Sequence, residues 1–453
     1  MNLDIFRDAA KLDPLDLFPN SSYEPMWVNY ELTMRRSRFK NVQFFPRLTR
    51  FAVFFINLFW NLFRRSPKSS IQRQKHLMFA LTRNQVAAIE PVLAGINNEN
   101  SDSAVLISSA EMNWTTARSF FYAIPFLFHV VVRALREKGH RGRSFRWALD
   151  EYWRTYGLYV VVRRWLRQCD AKTVTVSNDH SLLPCVIVKA AQDEGVDTFY
   201  IQHACVTNRF PPLRVDYALL DGLDAHEKYS VVDQNRTTVC LIGVPKFDAY
   251  ADDINHSETA NSIGVCFSLA DKTDRCLELL NGLASLGSTK ISVRPHMGME
   301  ASQKQAFKEA CEKHNYSFSS HADEPSFEFL KKNDILISGS SAIALEAVML
   351  NVTSLNFVLN PESPDWYGFV EQGLTKSTDQ IDELLGWISA LTVRRPPVRH
   401  LANRYSASIG SPLDSQSSKV AADFIGSSGQ SRTYLAPIGE GLLSVSTESK
   451  KVT

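Results

Sequence analysis

Three short polar clusters hold the residue types from which chemistry can be read, and each directly follows an apolar run. In the first, Ser338, Gly339, Ser340 and Ser341 separate the run at 335–337 from the apolar stretch at 342–350. Where a strand turns into a helix, unpaired backbone N–H groups gather and favour a phosphate. Ser340 and Ser341 add two hydroxyl donors to such a turn, although a serine pair there also fits a plain N-cap. Glu346, about one turn further on, suits either ribose hydroxyls or solvent. In the second cluster, Arg294 and His296 close the run at 290–293 and offer a planar fork and a further donor to phosphate oxygens. The third places His203 just after the run at 198–202, where a near-neutral imidazole can take a proton from an acceptor hydroxyl or simply sit satisfied in a loop. Asn208 and Arg209 follow closely enough for acceptor contacts.

The elements that must position these clusters alternate regularly. Strands are predicted at 104–108, 172–177, 198–202, 217–220 and 238–242, then at 263–267, 290–293, 335–337 and 353–357. Helices are expected between them, at 182–194, 272–286, 302–314, 342–350 and 378–391. Alternation at this spacing means parallel sheets with helices on both faces. The expected class is α/β, with two Rossmann-like doubly wound domains and a helical N-terminal region. Residues 1–100 are read as helical, basic and membrane-interfacial, 101–250 as the acceptor domain and 260–405 as the nucleotide-binding domain. Residues 406–453 read as a Ser/Gly-rich tail, disordered beyond 427. Two such domains in tandem form a cleft between the carboxyl ends of their strands, which is where three clusters in register would meet.

Charge is unevenly spread over the 453 residues: net +2 in all, but +9 in the first 150 and −7 in the rest. Between Leu32 and Ile89 there are twelve basic residues and no acidic one, a bias that fits an anionic surface. Inside that block, FAVFFINLFWNLF at 51–63 is too short to span a bilayer as a helix. Arg50, Asn57, Asn61 and Arg64 form a narrow polar stripe on it, so a helix lying among lipid headgroups is expected, with a buried core helix as the alternative. A second run at 120–132, followed by many arginines, is expected to be core. Residues 44–68 are thus the expected contact with an anionic membrane, and no nucleic-acid motif accompanies the charge. Seven scattered cysteines without metal spacing suggest a reducing compartment, no disulfides and no metal. The first residues lack the pattern of a secretory signal.

Taken together, YIQHA, GVPKFD, VRPH and SGSSAIALEAVMLNVTSL resemble the two-domain GT-B glycosyltransferases of bacterial surface polysaccharide synthesis. The pattern is that of capsule and lipopolysaccharide transferases using CMP-Kdo or CMP-sialic acid, and of CDP-glycerol glycerophosphotransferases. The resemblance spans about residues 173–395. It implies that His296, Ser340 and Ser341 bind nucleotide phosphate and that His203 is the base. Met297 stands where the family has proline and Ala204 where glycine often follows, while Asp221-Gly222 matches only part of the sialyltransferase acidic motif.

The expected function is metal-independent transfer of a sugar or polyol phosphate from a CMP-, CDP- or UDP-linked donor, which is a substrate and not a cofactor. The acceptor would be a surface glycan or lipid-linked chain at the inner face of the plasma membrane, with the protein cytoplasmic and peripheral. The alternatives are a UDP-N-acetylhexosamine 2-epimerase, which needs acidic residues in the cleft, and a non-catalytic assembly protein.

Overall fold

The computed structural model describes residues 3–26, 47–62, 74–99, 104–108, 114–230, 237–287, 289–320 and 324–446. The expected membrane contact at 44–46 and 63–68, and the end of the tail beyond 446, lie outside the described residues.

The first body contains helices α1 (Leu3–Ala9), α2 (Pro19–Ser22), α3 (Arg47–Leu62), α4 (Arg83–Glu99), α5 (Trp114–Ala123), α6 (Leu127–Arg136), α7 (Gly139–Trp147), α8 (Leu149–Leu166), α9 (Leu182–Asp193) and α10 (Leu223–Ser230). Its strands are β1 (His76–Ala80), β2 (Ala104–Ser108), β3 (Thr173–Val176), β4 (Asp197–Ile201), β5 (Tyr217–Leu220) and β6 (Thr238–Leu241). They lie side by side in the order β6-β5-β4-β3-β1-β2, every neighbouring pair parallel. Strands buried on both faces need continuous apolar or small side chains, and TVTV and YALL supply them. Beneath the sheet runs α8, whose Tyr152, Trp153, Tyr156 and Tyr159 are fully buried, as expected of a helix that is covered all round.

A 3-10 helix, Pro245–Asp253, leads into the second body. There the strands are β7 (Ser262–Phe267), β8 (Lys290–Pro295), β9 (Ser317–Phe318), β10 (Ile335–Ser338), β11 (Thr353–Phe357) and β12 (Lys376–Thr378). They form one parallel sheet in the order β12-β11-β10-β7-β8-β9. Its helices are α11 (Thr273–Gly282), α12 (Ala301–His314), α13 (Ser326–Leu330), α14 (Ile343–Met349) and α15 (Ile381–Val393).

After α15 the chain returns to the first body. Helix α16 (Ser417–Gly426) packs on α4, and Asp248 accepts the backbone N–H groups of Ser417 (3.0 Å) and Ser418 (2.6 Å) at its start. The returning segment lies against backbone. A Cβ on Gly222 would come within 2.6 Å of the Tyr405 carbonyl carbon. Gly243, at φ +87°, would bring a Cβ within 2.2 Å of the Ser408 hydroxyl, so only glycine fits.

Three expectations need correction. The stretch 1–100 is not wholly helical: HLMFA forms β1, in the middle of the first sheet between β2 and β3. Nor is the whole tail beyond 427 without structure. Residues Leu435–Gly439 (β13) and Leu442–Val445 (β14) form an antiparallel hairpin, and β14 pairs parallel with β6. The first sheet therefore draws on residues well outside 101–250. Finally, part of the polar stripe on α3 faces protein: Arg50 is buried 3.3 Å from the Asp150 carboxylate and Asn61 is buried too, while Asn57 is half-buried and Arg64 lies outside the described residues.

Candidate active site

Five of the strand ends converge on the space between the two bodies. From β8, Arg294 turns back under the second body. Its Nη1 donates to the Ser319 hydroxyl (3.0 Å) and its Nη2 to the Glu324 carbonyl (2.6 Å), and the guanidinium lies 5.6 Å from the centre of the Phe329 ring. Arg294 touches the cleft but both its terminal nitrogens hold the loop around Ser319 and Glu324. Two residues on, His296 is exposed, and its Nδ1 accepts the Gly298 N–H at 3.0 Å. That bond puts the proton of the neutral ring on Nε2.

From β10 comes the serine turn. Helix α14 starts at an N-cap of Ala342 without any side-chain cap, so neither serine hydroxyl serves as the cap. Ser340 accepts the Trp366 backbone N–H at 3.3 Å, and Ser341 lines the cleft. Gly339 is held tightly: a Cβ there would sit 2.6 Å from the Asp271 carboxylate.

From β4 comes His203. Burial pushes its imidazole down to about 4, with Asp179 opposing and His180 and Lys246 reinforcing, so the ring is neutral at pH 7. Beyond β5, Asp221 is buried and its carboxyl is pushed well above the usual range by burial, against the pull of Lys246. Lys246 itself follows β6. Its Nζ lies 2.6 Å from the Glu346 carboxylate on α14, and 5.7 Å from the centre of the Phe327 ring. Burial pulls this ammonium down, but Glu346 outweighs burial and holds it above its ordinary value.

Between these groups is a cavity of about 490 Å³. The second body contributes Arg294, His296, Ser341 and Glu346; the first contributes Arg83, Asn84 and Glu90 from α4, with Lys246 beside them. A smaller cavity of about 90 Å³ adjoins it, lined by His203, Asp221, Lys246 and Glu346 among others. Of the residues singled out in the sequence, Arg294, His296, Ser341 and Glu346 therefore share one cavity and His203 lies in the next. Ser340 lies one residue aside, and neither Asn208 nor Arg209 lines either cavity. Arg209 instead stacks on Trp366, 4.4 Å from the ring centre, so the loop after β4 meets the loop that Ser340 holds.

Sequence reasoning missed Lys246, Arg83 and Asn84. GVPKFD marks a strand end with one lysine, and LTRN follows the apolar run HLMFA in a strand-to-helix order. Both signals were present but short.

No protein-family model matches the chain, and no curated protein matches it. Solved structures do. A Listeria monocytogenes structure that carries the name putative UDP-N-acetylglucosamine 2-epimerase aligns at 12% identity and TM-score 0.52, over 78% of this chain and 95% of that one. The UDP-GlcNAc 2-epimerase of Neisseria meningitidis, solved with UDP-GlcNAc bound, aligns at 13% identity and TM-score 0.52, over 78% and 99%. The wall teichoic acid polymerase TagF is a looser likeness, at 11% identity and TM-score 0.48, over 85% and 99%. Identities this low speak for the fold alone, which is the two-domain GT-B arrangement of Rossmann-like domains.

Proposed function

Starting from a GT-B fold with its cleft lined from both domains, we propose that the chain moves a sugar, or a polyol phosphate, from a nucleotide-activated donor to a glycan or lipid-linked acceptor. The observation that supports this most is the single cavity to which His296, Ser341, Glu346, Lys246 and Arg83 all contribute. Such a cavity combines cationic and hydroxyl donors with room for a nucleotide.

In this reading the nucleotide lies against the second domain. His296 donates from Nε2 and Ser341 from its hydroxyl to phosphate oxygens, and Lys246 turns part of its charge from Glu346 toward them. These groups stabilise the negative charge that grows on the leaving phosphate. Glu346 then takes ribose hydroxyls. Arg294 keeps the loop behind the site in place. The acceptor hydroxyl approaches from the first domain, its oxygen bonds to the transferred carbon or phosphorus, and the bond to the nucleotide phosphate breaks. His203 takes the proton. An imidazole held at about 4 is a weak base, and an anionic donor bound beside it would raise its affinity for that proton. The reaction invokes no resident cofactor, and the expected setting is the cytoplasmic face of the plasma membrane.

One observation favours a second reading. The acidic side chains of Glu90 and Glu346 line the larger cavity and that of Asp221 the smaller, the type of residue that proton abstraction by a nucleotide-sugar 2-epimerase would require. One experiment separates the two. The protein is incubated in D2O with CMP-, CDP- and UDP-linked donors, with and without a membrane glycan extract. Release of nucleotide only when the extract is present supports the transferase. Deuterium entering the sugar of a UDP-N-acetylhexosamine without release supports the epimerase and overturns the transferase.

A further inference from the structure

Helices α3, α5 and α6 break the usual rule for surface helices, which present an apolar stripe inward and polar residues outward. In α3 Phe54 packs inward on Trp153, yet the outward side is apolar as well. Arg50 and Asn61 are buried against the protein, while Ile56 is 65% exposed and Trp60 66%, with Phe55 and Phe59 beside them. Helices α5 and α6 are apolar on both sides: Phe120, Ala123, Val130 and Ala134 pack inward, and Phe121, Leu127, Phe128 and Leu135 point outward, Phe128 74% exposed. The helices are neighbours, since α3 packs beside α5 with the Phe54 and Phe120 rings 5.1 Å apart. Exposed apolar area of this extent on adjoining helices marks an interaction surface.

Charge indicates what covers it. Across 114–148 there are seven arginines and lysines and one acid, Glu137, which is already paired with Arg133 (3.2 Å) and Arg141 (3.4 Å). Arg118 and Arg136, at either end of the α5–α6 run, are exposed. Residues 47–62 carry no acid at all. A protein partner would need a matching acidic rim, whereas an anionic bilayer supplies an apolar interior edged by phosphates.

We propose that α3, α5 and α6 form one face that lies in the surface of an anionic lipid bilayer, aromatic side chains sinking and arginines meeting headgroups. The face does not cross the bilayer. By length and composition Arg118–Arg136 is apolar enough to span, but the segment is broken by a 3-10 turn at Ile124–Phe126 and its inner side is packed against α8. This proposal stands apart from the transferase reading, because it concerns a surface and not the cleft.

The test is co-sedimentation of the full chain, without nucleotide, with phosphatidylcholine vesicles with and without phosphatidylglycerol. The expected result is binding to the anionic vesicles that weakens about tenfold in Phe55→Ser/Trp60→Ser and again in Phe128→Ser/Leu135→Ser. Arg118→Glu/Arg136→Glu should abolish the preference for anionic lipid. These side chains are exposed, so the denaturation curves of the variants should match the parent and exclude misfolding. Absence of vesicle binding, or binding unchanged in all three variants, would overturn the proposal. A concentration-dependent dimer that the same substitutions dissociate, with vesicles ignored, would overturn it too and assign the face to a second copy.

Discussion

The ammonium of Lys246 lies 2.6 Å from the carboxylate of Glu346, joining the end of the first sheet to helix α14 of the second domain. Each partner is largely screened from water, so removing one strands the other. Lys246→Met should lower stability by about 2 kcal/mol or more, and Glu346→Gln should act in the same direction. The double variant Lys246→Met/Glu346→Leu should recover part of that loss. A double-mutant cycle in urea measures the coupling; additive losses would mean the pair is merely adjacent.

His203 carries a pH prediction. Its folded value, about 4, lies below the ordinary 6.5, so between these values the unfolded chain binds a proton that the folded chain does not. Stability should therefore rise with pH through that window and be lowest below about 4. Comparing His203→Gln with the parent across pH 4 to 7 should show the parent losing relative stability as pH falls. Parallel curves would contradict a buried neutral imidazole.

Gly243 should tolerate no side chain. At φ +87°, with the Ser408 and Ser417 hydroxyls within 2.3 Å of where a Cβ would sit, Gly243→Ala must both strain the backbone and displace the returning segment. A loss of roughly 2–3 kcal/mol in chemical denaturation is expected. An unchanged midpoint would mean the crossover is not packed there.

Arg294 separates anchoring from ligand binding. Its fork holds Ser319 and Glu324 at once, which a lysine cannot do. Arg294→Lys should therefore lower stability by about 1–2 kcal/mol. Full stability with lost nucleotide affinity would instead make Arg294 a direct phosphate ligand.

Much of the frame was legible from the chain alone. ILIS, TSLNF and YALL sit on buried central strands, where continuous apolar runs and their spacing reveal a parallel sheet. HLMFA was not recognised, because five residues beside a basic stretch look the same in a strand and a buried helix. The β13–β14 hairpin hides in a Ser- and Gly-rich tail, since its partner β6 lies more than two hundred residues away and no local pattern announces the pairing. At the site, residues at strand ends were visible because position in an α/β unit implies exposure to the cleft. Lys246 and Arg83 were marked only by the short GVPKFD and LTRN segments, and their importance comes from the approach of two domains. Arg294 shows the converse: a residue type suited to phosphate turned out to be bound to its own loop.

The most direct test of the cleft as a nucleotide site is a thermal-shift titration with CMP, CDP, UDP and GDP. It is run on the parent, on His296→Ala and on Ser341→Ala. At least one nucleotide should raise the Tm of the parent, with both substitutions reducing that rise while leaving the Tm without nucleotide nearly unchanged. No shift with any nucleotide, or a shift that survives both substitutions intact, would contradict the account.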